Sequence, residues 1–108
     1  MLSGYRIMWM IVLFDLPVKQ NCQRRAATAF RNTLLELGFS MAQYSVYMRV
    51  CASKEIFSTY VRRIRTALPV EGEVQIIGIT DKQYENILAF HGRHQDRDRE
   101  EPRQYALF

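Results

Sequence analysis

An unbroken apolar run at residues 7–14 (IMWMIVLF), ending at Asp15-Leu16-Pro17, constrains the fold more than any other stretch of this chain. It is far too short to cross a bilayer, which takes roughly 20 residues. Its β-branched and aromatic side chains and its proline stop predict a strand buried on both faces, central in a sheet. With Arg6 before it, the run has the outline of a signal-peptide core. It passes straight into Asp15 with no small-residue cleavage site, however, so export is not expected. Cys22 and Cys51 are too few for a disulfide framework or a four-ligand zinc site, which fits a reducing cytoplasm and assigns both thiols to small core fillers.

Past Pro17 the period changes. Ala26 and Ala27, Phe30, Leu34 and Leu37 recur every three to four residues, predicting an amphipathic helix over 20–37 with Gly38 as its left-handed terminator. Residues 40–51 are rich in β-preferring side chains (Tyr44, Val46, Tyr47, Val50) and are expected to form a hairpin turning near Tyr44-Ser45. A second helix is predicted over 53–68, with Ser53 as N-cap and Phe57, Tyr60, Val61, Ile64 and Leu68 as its buried stripe. Pro69 stops it. Residues 73–80 (EVQIIGIT) predict a strand and 81–90 a short helix. Residues 93–103 alternate in charge as a linker would, and the apolar 104–108 read as a strand that docks on something, with Tyr105, Leu107 and Phe108 as its partner contacts.

The order is βαββαβ plus a tail: an α+β, ferredoxin-like sandwich over 1–92, then a polar linker and an additional C-terminal strand over 93–108. A chain of 108 residues, 48% of them hydrophobic, holds one core of this kind without staples.

Charge is distributed unevenly. Residues 1–70 hold ten bases and three acids (+7), and residues 71–108 hold five bases and eight acids (−3), which sum to the net +4. Lys19, Arg24, Arg25 and Arg31 on the first helix, and Arg62, Arg63 and Arg65 on the second, are candidates for phosphate contacts, because a guanidinium fork suits phosphate. The plain alternative is two solvated, Arg-rich helix faces. The aromatics fall mostly on core stripes, so no base-stacking platform is expected and binding would be to backbone.

The carboxylate placed where chemistry would put it is Asp15, at the end of the central strand. One carboxylate is a poor Mg²⁺ site, whereas two facing each other across a two-fold axis make a better one. The alternative role for Asp15 is to cap or start the turn into the first helix. The sequence has no phosphate-binding glycine loop, G-x-S-x-G, H-E-x-x-H or C-x-x-C, and His91 and His94 read as solvent-facing.

Four motifs together resemble one family: residues 11–17 (IVLFDLP) before an Arg-rich helix, Gly38-Phe39, residues 43–47 (QYSVY) and residues 79–84 (ITDKQY). They resemble the second CRISPR-associated protein, the small subunit of the spacer-acquisition complex, and residues 88–93 (LAFHGR) resemble its type II version. The resemblance implies a homodimer with its sheets packed face to face and its C-terminal strand completing a neighbour's sheet. It implies assembly with two dimers of the integrase subunit, with duplex DNA lying across the top. It also maps a family aspartate onto Asp15, where a Mg²⁺ or Mn²⁺ ion lies between protomers in members that cleave RNA or DNA. Two functional classes follow: a metal-dependent endonuclease acting through Asp15, and a non-catalytic DNA-binding scaffold in which Asp15 is structural.

Overall fold

The computed structural model describes residues 7–92, in the order β1 (Met8–Asp15), α1 (Asn21–Glu36), β2 (Ser40–Gln43), β3 (Val46–Cys51), α2 (Lys54–Thr66), β4 (Glu73–Thr80) and α3 (Asp81–Glu85). The four strands form one antiparallel sheet in the order β2-β3-β1-β4. That strand order with this chain order is the ferredoxin-like arrangement. The Tyr105, Leu107 and Phe108 docking strand and the 93–103 linker lie outside the described residues.

Strand periodicity sorts the sheet into two faces. Met10, Val12 and Phe14 of β1 and Tyr47 and Cys51 of β3 meet Phe30 and Leu34 of α1, Ile64 of α2 and Phe39 in one buried cluster. Both helices therefore cover the same face. Phe14 is the hub, edge-on to Phe30 at 5.3 Å and tilted against Tyr47 at 5.6 Å.

The opposite face corrects one expectation. The central strand is not buried on both sides, since Trp9, Ile11 and Leu13 alternate with the core residues and are only half-buried. Their register partners are apolar on β3 (Val50, Met48 and Val46), and on β4 Ile79 and Ile77 are apolar while Leu13 faces Gln75. The unbroken hydrophobic run thus supplies two apolar faces, of which the helices cover one.

Chain punctuation explains the element ends. Gln20, not a Ser or Asp, caps α1 through a reciprocal box with Gln23, whose Oε1 accepts from the Gln20 amide at 2.9 Å. Gly38, at φ 92°, ends that helix; a Cβ there would collide with the Arg49 guanidinium. Arg49 reaches back to donate to the Leu37 carbonyl at 3.0 Å and lies 4.2 Å from the Tyr60 ring centroid, tying β3 to the end of α1 and the middle of α2. Ser53 caps α2, its hydroxyl accepting from the Ile56 amide at 3.2 Å.

The last helix is shorter than the predicted 81–90. Asn86 is already its C-cap, and among the described residues the side chains that would extend it, Leu88 (81% exposed) and Phe90 (74% exposed), have little to pack against. Cys51 fills the core as expected, whereas Cys22 is exposed, because the core-facing stripe of α1 starts at Ala27.

Candidate functional site

Asp15 is the last residue of β1 and is exposed. The β1–β4 register sets it directly opposite Glu73, with both side chains on the open face of the sheet. Glu73 is steadied by its neighbour on the same face, Gln75, whose amide donates to Glu73 Oε2 at 3.3 Å. Among the described residues the Asp15 carboxylate has no hydrogen-bond or ion-pair partner. The capping task that a strand-end aspartate commonly serves falls instead to Gln20.

The backbone beneath Asp15 is held closely. Gly72 enters β4 at φ 100°, and a Cβ there would lie 2.8 Å from the Asp15 carbonyl oxygen and 2.7 Å from Leu16 Cδ2. Only glycine lets the loop pass this close. Sequence reading misses Glu73, because its opposition to Asp15 appears only when the register of two strands 58 residues apart is known. Like charges set directly opposite on a sheet cost stability. A sequence that keeps them at one sheet end has a local conflict of the kind functional sites carry.

At the other end of the open face, the 79–84 motif closes over Trp9. Thr80 Oγ1 accepts from the Gln83 amide at 3.1 Å, and Gln83 Oε1 accepts from the Thr80 amide at 2.9 Å. That box starts α3, whose Asp81 Oδ1 accepts from Trp9 Nε1 at 2.8 Å. Tyr84 then stacks on the indole at 3.8 Å, nearly parallel. Burial pushes the Tyr84 hydroxyl above its usual pKa, and the Asp81 charge adds to the effect.

The basic residues separate into three kinds. Lys19, Arg25, Arg62, Arg63 and Arg65 are exposed on or beside α1 and α2, in the layer opposite the Asp15 face, with Arg62 donating to Thr59 Oγ1 at 3.4 Å and Arg63 lying 5.8 Å from the Tyr60 ring centroid. Arg24 is exposed but engaged: its guanidinium donates to the Val18 and Lys19 carbonyls at 2.8 and 3.1 Å and to Asn21. Arg31 is half-buried, 4.0 Å from the Tyr44 ring centroid and 5.4 Å from that of Phe14. His91 is exposed, and His94 lies outside the described residues. No helix among the described residues is long and apolar enough to cross a membrane.

These features define a ferredoxin-like sandwich with one face left apolar, a carboxylate pair at the end of that face, and arginines over the other. Comparison with known proteins places it further. The profile of the CRISPR associated protein Cas2 family matches residues 8–87. A protein of Paracidovorax avenae, named CRISPR-associated endoribonuclease Cas2, is 51% identical over 108 residues, covering 100% of both chains. A protein of the same name from Flavobacterium psychrophilum is 40% identical, covering 99% of this chain and 93% of its own. A crystal structure of a protein described as cas2 superposes with a TM-score of 0.59 over 94% of this chain and 99% of its own, at 20% identity, a likeness of fold. The chain belongs to the CRISPR-associated Cas2 family.

Proposed function

We propose that this chain serves CRISPR spacer acquisition as a two-fold dimer that bridges integrase-subunit dimers, binds nucleic-acid backbone through its helical layer, and cleaves nucleic acid at a divalent-metal site built on Asp15. The observation that carries the nuclease reading is the Asp15 carboxylate itself: at the end of the central strand, unengaged, and opposite a second carboxylate on a face apolar enough for another copy to cover. The relatives' name, endoribonuclease, supports the same activity and points to RNA as a substrate.

The donor set fits Mg²⁺ or Mn²⁺, which are hard ions that take carboxylate oxygens and retain waters. Asp15 and Glu73 would hold the ion, and two-fold pairing of the open faces would bring the partner's carboxylates toward it. When bound, such an ion lowers the pKa of its water and offsets charge on the phosphoryl oxygens. The chain's own residues do the rest. Gly72 fixes the Asp15 backbone, Gln75 orients Glu73, and the apolar face around Ile11, Leu13 and Ile77 excludes water once covered. Exposed Arg25, Arg62 and Arg65 neutralise phosphate without reading bases.

Thermal unfolding with and without Mn²⁺ tests the metal site apart from catalysis. In chelator, Asp15→Asn and Glu73→Gln should each raise the midpoint slightly, since relieving a facing like-charge pair returns roughly 0.2–1 kcal/mol. Mn²⁺ should raise the wild-type midpoint and leave Asp15→Asn unmoved. Equal Mn²⁺ shifts in both proteins would remove Asp15 from the site.

A further inference from the structure

The hairpin turn carries an aromatic residue that turn chemistry does not ask for. Tight hairpin turns favour Asn, Asp and Gly, yet this one is Tyr44-Ser45, and Tyr44 is 69% exposed. Its ring is not adrift. The Arg31 guanidinium lies 4.0 Å from the Tyr44 centroid and 5.4 Å from that of Phe14, so a column runs from the core ring through the guanidinium to the exposed ring. Among the described residues the buried Arg31 Nε has no hydrogen-bond partner, so stacking is what holds this part of the side chain. The turn is pinned in its own right. The Phe14 amide donates to the Ser45 carbonyl at 3.1 Å, and Gln43 pairs with Val46 below it.

One ring face of Tyr44 is thus covered and fixed, and most of the side chain remains open to solvent. Arg31 belongs to α1, so the ring lies on the helical side of the sheet. It stays accessible when a second copy covers the other face, and it sits at the end of β1 that carries Asp15. A flat, rigid ring backed by a cation fits a flat, polarisable partner. Within nucleic acid that partner is an unpaired base, because a base inside a duplex has both faces taken by its neighbours. The guanidinium edge beside it offers charged donors to the phosphate that flanks such a base.

We infer that Tyr44, backed by Arg31, is a stacking platform for an unpaired nucleobase and adds affinity for single-stranded nucleic acid that duplex binding does not share. The inference rests on the nucleic-acid-binding reading above but not on Asp15 or on cleavage. It also revises the expectation, drawn from the core stripes alone, that no such platform exists.

The test is fluorescence anisotropy in chelator, so that nothing is cut, with a labelled single-stranded oligouridylate and a duplex RNA of equal length. Tyr44→Phe should bind both as the wild type does. Tyr44→Leu keeps an apolar cover on Arg31 but lacks the ring. It should lose roughly 5- to 140-fold in single-strand affinity, the 1–3 kcal/mol of one base stack converted at about 1.4 kcal/mol per tenfold. Its duplex affinity should be unchanged, which also serves as the control for folding. Wild-type single-strand affinity in Tyr44→Leu overturns the inference. So does an equal loss on both probes, which would mean that Tyr44 only positions Arg31 for phosphate. Binding of neither probe by the wild-type protein would instead sink the nucleic-acid reading on which the inference rests.

Discussion

Replacing Ile77 by Lys should weaken the proposed two-fold dimer while leaving the protomer folded. Ile77 stands in the middle of β4 on the open face, paired with Ile11, and is 45% exposed in the single chain. Fully burying an isoleucine side chain is worth roughly 1.5–3 kcal/mol. Covering the exposed 45% should therefore contribute about 0.7–1.4 kcal/mol per copy. A two-fold interface counts each residue twice, so about 1.4–2.7 kcal/mol is lost on substitution, or roughly 10- to 90-fold in the dimer dissociation constant. The figure is a lower bound, because the lysine ammonium must also be desolvated or turned aside. The protomer itself should lose little, since the replaced side chain is half in water and the long lysine stem can still lie along the sheet. Sedimentation equilibrium across the micromolar range measures the constant, and chemical denaturation measures protomer stability. A wild-type dimer constant in Ile77→Lys would show that the open face is not where the copies meet, and the two-fold sharing of Asp15 would fall with it.

Salt dependence should separate the arginines. Arg25, Arg62 and Arg65, each replaced by Ala, should flatten the slope of log affinity against log salt on duplex DNA by roughly 0.9 for every phosphate left unneutralised. Arg24→Ala should move the slope less and stability more, because its guanidinium is spent on the Val18 and Lys19 carbonyls; equal slopes for Arg24 and Arg25 variants would contradict this division. Iodoacetamide should label Cys22 in the native protein and spare Cys51, as mass spectrometry would read directly. Burial raises the Cys51 thiol above its ordinary value against the opposing pull of Arg49. Its contribution to stability is therefore present below the ordinary thiol range and is lost as pH climbs through the raised one. Denaturation midpoints should fall on the alkaline side above about pH 9, less steeply in Cys51→Ala.

Much of this architecture is legible in the sequence because it rests on periodicity. The β1 run, the Phe30 and Leu34 stripe and the Tyr44-Ser45 turn each declare themselves within a dozen residues. Features that depend on two distant segments do not. Whether Ile11 and Leu13 are covered depends on what packs on the second face of the sheet, and hydrophobicity alone cannot distinguish a helix from another copy. Glu73 looks like any acidic residue at a strand start until the ladder sets it opposite Asp15. Arg31 and Arg25 are equivalent in composition, yet one lies against Phe14 and the other faces solvent, a difference set by 100° per residue and by where the hairpin folds back. Cys22 escapes the core for a related reason, since it lies one turn before the stripe begins. The 79–84 motif carries the resemblance in sequence, and the structure supplies its physical content in the Thr80–Gln83 box and the Trp9 contacts.

Cleavage of single-stranded RNA by Asp15→Asn tests the nuclease claim most directly. The variant should first be shown to be folded by circular dichroism and dimeric by light scattering. The wild-type protein should cut labelled RNA in Mg²⁺ or Mn²⁺ and stop when chelator is added. Asp15→Asn should cut at the buffer rate in either metal, because a neutral amide at that strand end leaves the ion without its principal charged oxygen donor. A folded, dimeric Asp15→Asn protein that cleaves at the wild-type rate would contradict the account and leave the arginine-bearing scaffold as the function of this fold.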